Sequence, residues 1–319
     1  AANGAAYREV LVVPGGEANP VERRVAALLC ERVEELPAVT ARQGKPNPAG
    51  QLTLTVLLGR PEHHAGIREL IDAHRIDPLT PLAPGPEGFL LRYFPQTDML
   101  LAAGCDDRGC LYAVGELLRQ ADFGADGMTV PGDLHVRTAP AFEIRGTQFH
   151  QGGTLLKLAK ARAWTEEETQ RVILDYALAG ANIFDVNPGP YYEFMKSYGL
   201  MTLTDGHANN MWGDVPEAWE ARESIGRKGY VCLSVPEARA HMLAQCERQF
   251  KDCPFFDVVK VKGGDGGGCE CNKCDPYGRV FIETVAEMAD IIHKYHPDSR
   301  VFIVNQKFDD ADDRAIFDY

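Results

Sequence analysis

Cys269, Cys271 and Cys274 crowd into six residues, directly behind a run of glycines that holds one acid, Gly263-Gly264-Asp265-Gly266-Gly267-Gly268. Both halves of this stretch carry chemistry. A carboxylate wrapped in glycine has no packing purpose of its own, and glycine lets the backbone take φ > 0 and lets a ligand come close. Asp265 is therefore the first candidate for a general acid or base. Thiolates at Cys-x-Cys-x-x-Cys spacing can hold one structural zinc ion once a fourth ligand, a His, Cys or Asp, arrives from elsewhere. One disulfide plus a third thiol fits the same spacing, as do three reduced thiols. In either bonded form the cluster staples the loop that carries Asp265. A redox or metal-transfer role is a more distant alternative.

These residues need elements to position them. Asp257 to Lys262 alternates like a strand before the glycines. After the cysteines, Val280, Phe281, Thr284, Val285, Met288, Ile291, Ile292 and Tyr295 recur at helical spacing. Strand, loop, helix is the order in which α/β chains present catalytic groups, at the carboxyl ends of strands. The same rhythm runs from Pro140 onward. Strands are expected at 142–149, 182–186, 200–203, 257–262 and 300–305. Capping boxes are expected at Thr165-Glu168 and at Ser234-Val235-Pro236-Glu237. Repeated β-then-α units predict a parallel sheet, either an open doubly wound one or a (β/α)₈-type barrel. A full barrel takes about 250 residues, whereas 179 follow Pro140, so the preferred expectation is a barrel truncated after strand five.

Residues 1–139 read as a separate, smaller α/β domain, with 140–319 as the partial barrel. Strands are expected at 9–13, 52–58, 88–94, 98–103 and 133–136. Asn19-Pro20 opens a helix whose Val21, Val25, Leu28, Leu29 and Val33 share one face. Further helices are expected at 66–74 and 111–120.

The polar residues gather at the tips of the barrel strands. Strand one ends in Arg145, Gln148 and His150, strand two in Asp185 and Asn187. Strand three leads into His207, Asn209 and Trp212, and strand five into Asn305 and Lys307. Amides, imidazoles and carboxylates suit vicinal hydroxyls, and an aromatic ring suits the apolar face of a sugar. Arg145, with Lys260 or Lys262 where these face inward, can pair a uronate carboxylate. Taken singly, each has a plainer use: Arg145 in an internal salt bridge, His150 and His207 as structural or solvent-facing groups, Trp212 as an anchor, Asp185 as a local cap. Glycoside hydrolysis uses two carboxyl groups. Asp265 supplies one, and Asp185 is the visible second.

Composition narrows the classes. With 33 basic against 46 acidic residues the net charge is −13, which disfavours a nucleic-acid or anionic-membrane surface. No apolar run approaches the roughly 18 residues of a membrane span. The small, polar amino terminus fits the mature end of an exported, secreted or periplasmic protein, and equally an arbitrary start. Nine cysteines leave at least one unpaired in a fully oxidised chain; Cys105 and Cys110 can bridge across a turn or stay as buried thiols.

Two stretches carry a family likeness. Leu100 to Gly104 followed by Asp107-Arg108-Gly109-Cys110-Leu111-Tyr112-Ala113-Val114-Gly115-Glu116-Leu117-Leu118-Arg119 resembles the end of the small α/β domain that precedes the barrel in bacterial alpha-glucuronidases and beta-N-acetylhexosaminidases. Pro140-Ala141-Phe142-Glu143-Ile144-Arg145-Gly146 resembles their entry into the first barrel strand. The resemblance implies a barrel glycosidase, needing no cofactor, acting on an oligosaccharide or polysaccharide that contains a uronic acid or an amino sugar. One departure stands out. Such hexosaminidases carry an Asp-Glu pair after strand four, whereas Asp265 is followed by Gly266, and the next carboxylate is Glu270. That speaks against substrate-assisted hydrolysis of an N-acetyl sugar and leaves a second class open, a non-catalytic glycan-binding protein on the same fold.

Overall fold

Asn19 ends an extended segment and begins a helix. Its side chain accepts from Glu22 N at 2.9 Å, and the Glu22 carboxylate accepts from Asn19 N at 2.9 Å. The Asn19 cap and Pro20 at the first helical position are the ones expected from the sequence, and the reciprocal bond from Glu22 is added to them. The computed structural model describes residues 6–36, 38–45, 53–148, 159–211, 213–222, 229–263 and 267–319, with the backbone alone at Thr147 and Gln148.

The first elements are β1 (Glu9–Pro14), α1 (Pro20–Glu34), β2 (Thr40–Gln43), β3 (Thr53–Gly59), α2 (Ala65–Asp72), β4 (Phe89–Phe94), β5 (Met99–Gly104) and α3 (Asp107–Gln120). Short strands β6 (Asp122–Gly124), β7 (Gly127–Thr129) and β8 (His135–Thr138) follow. Six of these strands form one sheet in the order β2-β1-β3-β5-β4-β8. β2, β1, β3 and β5 are parallel, while β4 runs antiparallel to both its neighbours. Leu11, Val13, Leu57, Leu101 and Ala103 meet Ile67 of α2 on one face. Val10, Val12, Leu54, Val56, Leu100 and Ala102 alternate to the other, where α1 and α3 pack. β2 was not expected: its four residues bury only Ala41, too little apolar signal to mark a strand.

The later elements are β9 (Gly146–Gln148), α4 (Glu166–Leu178), β10 (Ile183–Asp185), α5 (Pro190–Ser197), β11 (Met201–His207), α6 (Pro236–Lys251), β12 (Val258–Lys262), α7 (Tyr277–Tyr295), β13 (Arg300–Val304) and α8 (Asp310–Phe317). Their strands lie in chain order, β9-β10-β11-β12-β13, and β11, β12 and β13 pair in parallel. This is the expected α/β succession, with no closed sheet among the described residues. β9 starts at Gly146, four residues later than expected, and Phe142 at the expected start is 74% exposed. The Thr165 capping box forms with Glu168. The one expected at Ser234 does not. α6 takes Val235 as its N-cap without a side-chain bond, and Ser234 Oγ donates instead to Lys273 O at 3.0 Å.

Two compact units result, Ala1–Phe184 with Pro190–Leu200, and Asp185–Gly189 with Met201–Tyr319. In the second, Met242 and Phe250 of α6 and Phe281, Val285, Met288 and Ile292 of α7 bury Val259 and Val261 of β12. That packing turns the opposite face of β11 and β12 away from the helices.

Candidate functional site

Side chains alternate along a strand, and partners in parallel register share a face. β11 and β12 align Asp205 with Lys260 and His207 with Lys262. All four therefore point away from the helices. Asp185, the last residue of β10, joins them. Lys260 Nζ lies 3.2 Å from Asp185 Oδ2 and 3.0 Å from Asp205 Oδ1, and Lys262 Nζ contacts Asp205 Oδ2. The four charged side chains are between 4% and 19% exposed. Charges so withdrawn from water persist only against opposite charges, and here each ammonium meets a carboxylate. The result is a strip of donors and acceptors at the carboxyl end of a parallel sheet, able to bind hydroxyls and to pair an acidic sugar.

From this set the sequence singles out Asp185 and His207. Asp205 lies inside β11, which runs past the expected end at 203 to His207, and the two lysines count only once their direction is known. The signal that finds them is the paired alternation, Asp205-x-His207 beside Lys260-x-Lys262.

The other expected ligands fall in several places. Asn187 is exposed just beyond Asp185. Asn209 is fully buried and its Nδ2 donates to Gly267 O at 3.2 Å, so it holds the glycine loop. Asn305 and Lys307 are exposed beyond β13; Asn305 Nδ2 donates to Asp313 Oδ1 at 2.6 Å. Arg145 belongs to the first unit. Its Nε donates to Gly180 O at 2.7 Å and Nη2 to Tyr112 Oη at 3.0 Å, while further side-chain bonds go to Glu87, Phe142 O and Glu143 O. Those internal partners engage Nε and both terminal nitrogens. His150, Trp212, Asp265 and the side chain of Gln148 lie outside the described residues.

The glycines beside Asp265 answer to more than ligand access. A Cβ on Gly268 would sit 2.3 Å from the Tyr277 ring, and one on Gly263 2.8 Å from that of Phe308. Among the described glycines of the run, Gly267 has a left-handed backbone, at φ 75°. Two aromatic rings thus abut Gly263 and Gly268.

The cysteines do converge. The sulfurs of Cys269, Cys271 and Cys274 are joined by that of Cys232, and all four lie within 4.8 Å of one another. Cys232 Sγ is 3.7 Å from Cys271 Sγ and 3.6 Å from Cys274 Sγ. The nine cysteines, Cys105 and Cys110 included, are free. Arg222 N donates to Cys269 Sγ at 3.4 Å, and Ser234 Oγ lies 3.0 Å from Cys274 Sγ. The thiol hydrogen bond from Cys274 pulls Cys269 down to about 4, and the same contact pushes Cys274 well up. Burial raises Cys232 to about 11. Cys232 is the ligand that spacing alone cannot find, because it arrives from the segment before α6.

No family model matches this chain, and no curated protein matches it by sequence. Solved structures do match. A family GH115 4-O-methyl-alpha-glucuronidase with specificity for decorated arabinogalactans superposes at TM-score 0.60 and 14% identity, over 93% of this chain and 42% of that one. A GH20 exo-beta-N-acetylglucosaminidase from Vibrio harveyi, solved as an inactive mutant, gives TM-score 0.60 at 10% identity, over 94% of this chain and 52% of its own. The fold is glycosidase-like. A beta-N-acetylhexosaminidase from Bacteroides fragilis is similar at TM-score 0.57 and 11% identity, over 94% of this chain and 62% of its own. The chain spans roughly half the length of these glycosidase-like neighbours, and at such identities the likeness is one of fold.

Proposed function

We propose that this protein is a glycoside hydrolase acting on a glycan that contains a uronic acid or an amino sugar. The observation that carries this reading is the withdrawn Asp185–Lys260–Asp205–Lys262 strip at the carboxyl ends of parallel strands, within a glycosidase-like fold. Solved neighbours that act on glucuronic acid and N-acetylhexosamine substrates support the substrate class. In this reading Asp265 is the general acid or base and Asp185 its carboxylate partner. Lys260 and Lys262 receive a sugar carboxylate, and His207 and Asn187 its hydroxyls. No cofactor is required, since one carboxyl group can protonate the leaving glycosidic oxygen while the other activates water or attacks the sugar carbon.

The test supplies purified protein with aryl alpha-glucuronides, aryl beta-N-acetylglucosaminides and acidic oligosaccharides. Cleavage of one class is expected, falling by about 10²- to 10⁴-fold in Asp265→Asn while sugar binding persists. Saturable binding with no turnover would mark a glycan-binding protein instead. Neither binding nor cleavage across the panel would end the reading.

A further inference from the structure

We propose that Cys232, Cys269, Cys271 and Cys274 bind one zinc ion as a structural four-thiolate site. A zinc–sulfur bond is about 2.3 Å, so the sulfurs of a tetrahedral site stand about 3.8 Å apart. The two separations seen here, 3.6 and 3.7 Å, fall at that edge length. A disulfide needs about 2.05 Å. Four small apolar side chains in a core have no reason to bring their polar atoms to one point; four ligands do.

The scaffold sets the ligands in place from both sides. Cys232 N donates to Trp219 O at 2.7 Å and Val231 N to Asn209 O at 2.8 Å, which fixes the first ligand. Cys274 N donates to Cys271 O at 2.8 Å, closing the turn that carries the others. On binding, the cysteines that still carry a proton release it to solvent and four zinc–sulfur bonds form. The N–H of Arg222 and the Ser234 hydroxyl then lie against the resulting negative sulfurs. The ion ties the segment before α6 to the loop after β12. With the Asn209 amide on Gly267, it holds the carboxyl side of the glycine run. This inference does not depend on the glycosidase reading.

The experiment measures metal in the purified chain by inductively coupled plasma mass spectrometry, with cobalt exchange as the second readout. One zinc per chain is expected, lost in Cys271→Ser and in Cys232→Ser and retained in Cys30→Ser. Cobalt in its place should give the intense visible bands of a tetrahedral thiolate site. If the serine variants fail to fold, the cobalt spectrum of the wild-type chain still decides. Absence of metal with four titratable thiols after reconstitution with zinc would overturn the proposal. So would a disulfide among the four by mass spectrometry, or iron in place of zinc.

Discussion

Glu87 shows how much one side chain can organise. It is 8% exposed, accepts from Arg108 Nε at 2.5 Å and from Asn182 Nδ2 at 2.9 Å, and pairs with Arg145. It thereby joins the loop before β4, the start of α3, the chain leading into β9 and the chain leading into β10. Replacing it by Ala strands two guanidinium groups. Both keep some solvent, so the expected loss is about 3 kcal/mol, at the low end for a broken buried pair, read as a lower urea midpoint at unchanged slope. Gly268 makes a second test. Its missing Cβ leaves room for Tyr277, and Gly268→Ala should cost about 1–3 kcal/mol through overpacking, measured the same way. Glu87 thus acts through buried charge pairing and Gly268 through packing.

Elements were the most legible level. Alternation and helical spacing locate β1, β3, β4, β5, α1 and α7, each of which buries apolar side chains against a partner, and they also mark the succession of strands after Pro140. The hairpin of β6 and β7 stayed hidden, its strands being three residues each. Ser234 misled for a physical reason: its hydroxyl finds Lys273 O and the cysteine sulfur, and leaves α6 uncapped. At the site, Asp185 and His207 were visible, whereas Cys232 and the lysine pair required tertiary register. A cap also makes α2 sensitive to pH. His64 is buried, its Nε2 lies 3.1 Å from Val13 O, and its Nδ1 accepts from Ile67 N at 3.4 Å. Burial holds its pKa below the ordinary 6.5, so the unfolded chain takes up a proton first. Stability is therefore full above about 6.5 and falls as pH drops toward the depressed native value. The fall between pH 7 and 5.5 should be shallower in His64→Asn, which keeps a cap acceptor, as followed by thermal unfolding.

At the scale of the molecule, the structural neighbours extend well past the length of this chain, and within this chain one sheet turns Asp185, Asp205, Lys260 and Lys262 to one side. Two anions and two cations on that strip cancel. The face consequently exerts little pull at a distance, while the chain as a whole carries −13. On the proposed function, an acidic oligosaccharide would approach against a repulsive far field and be recognised only on arrival. Added sodium chloride should hasten its association, since the Debye length shrinks to about 8 Å at 0.15 M, and should leave a neutral sugar of equal size indifferent. Stopped-flow association rates at two ionic strengths make the comparison. Discrimination between acidic and neutral glycans then resides in how slowly each departs.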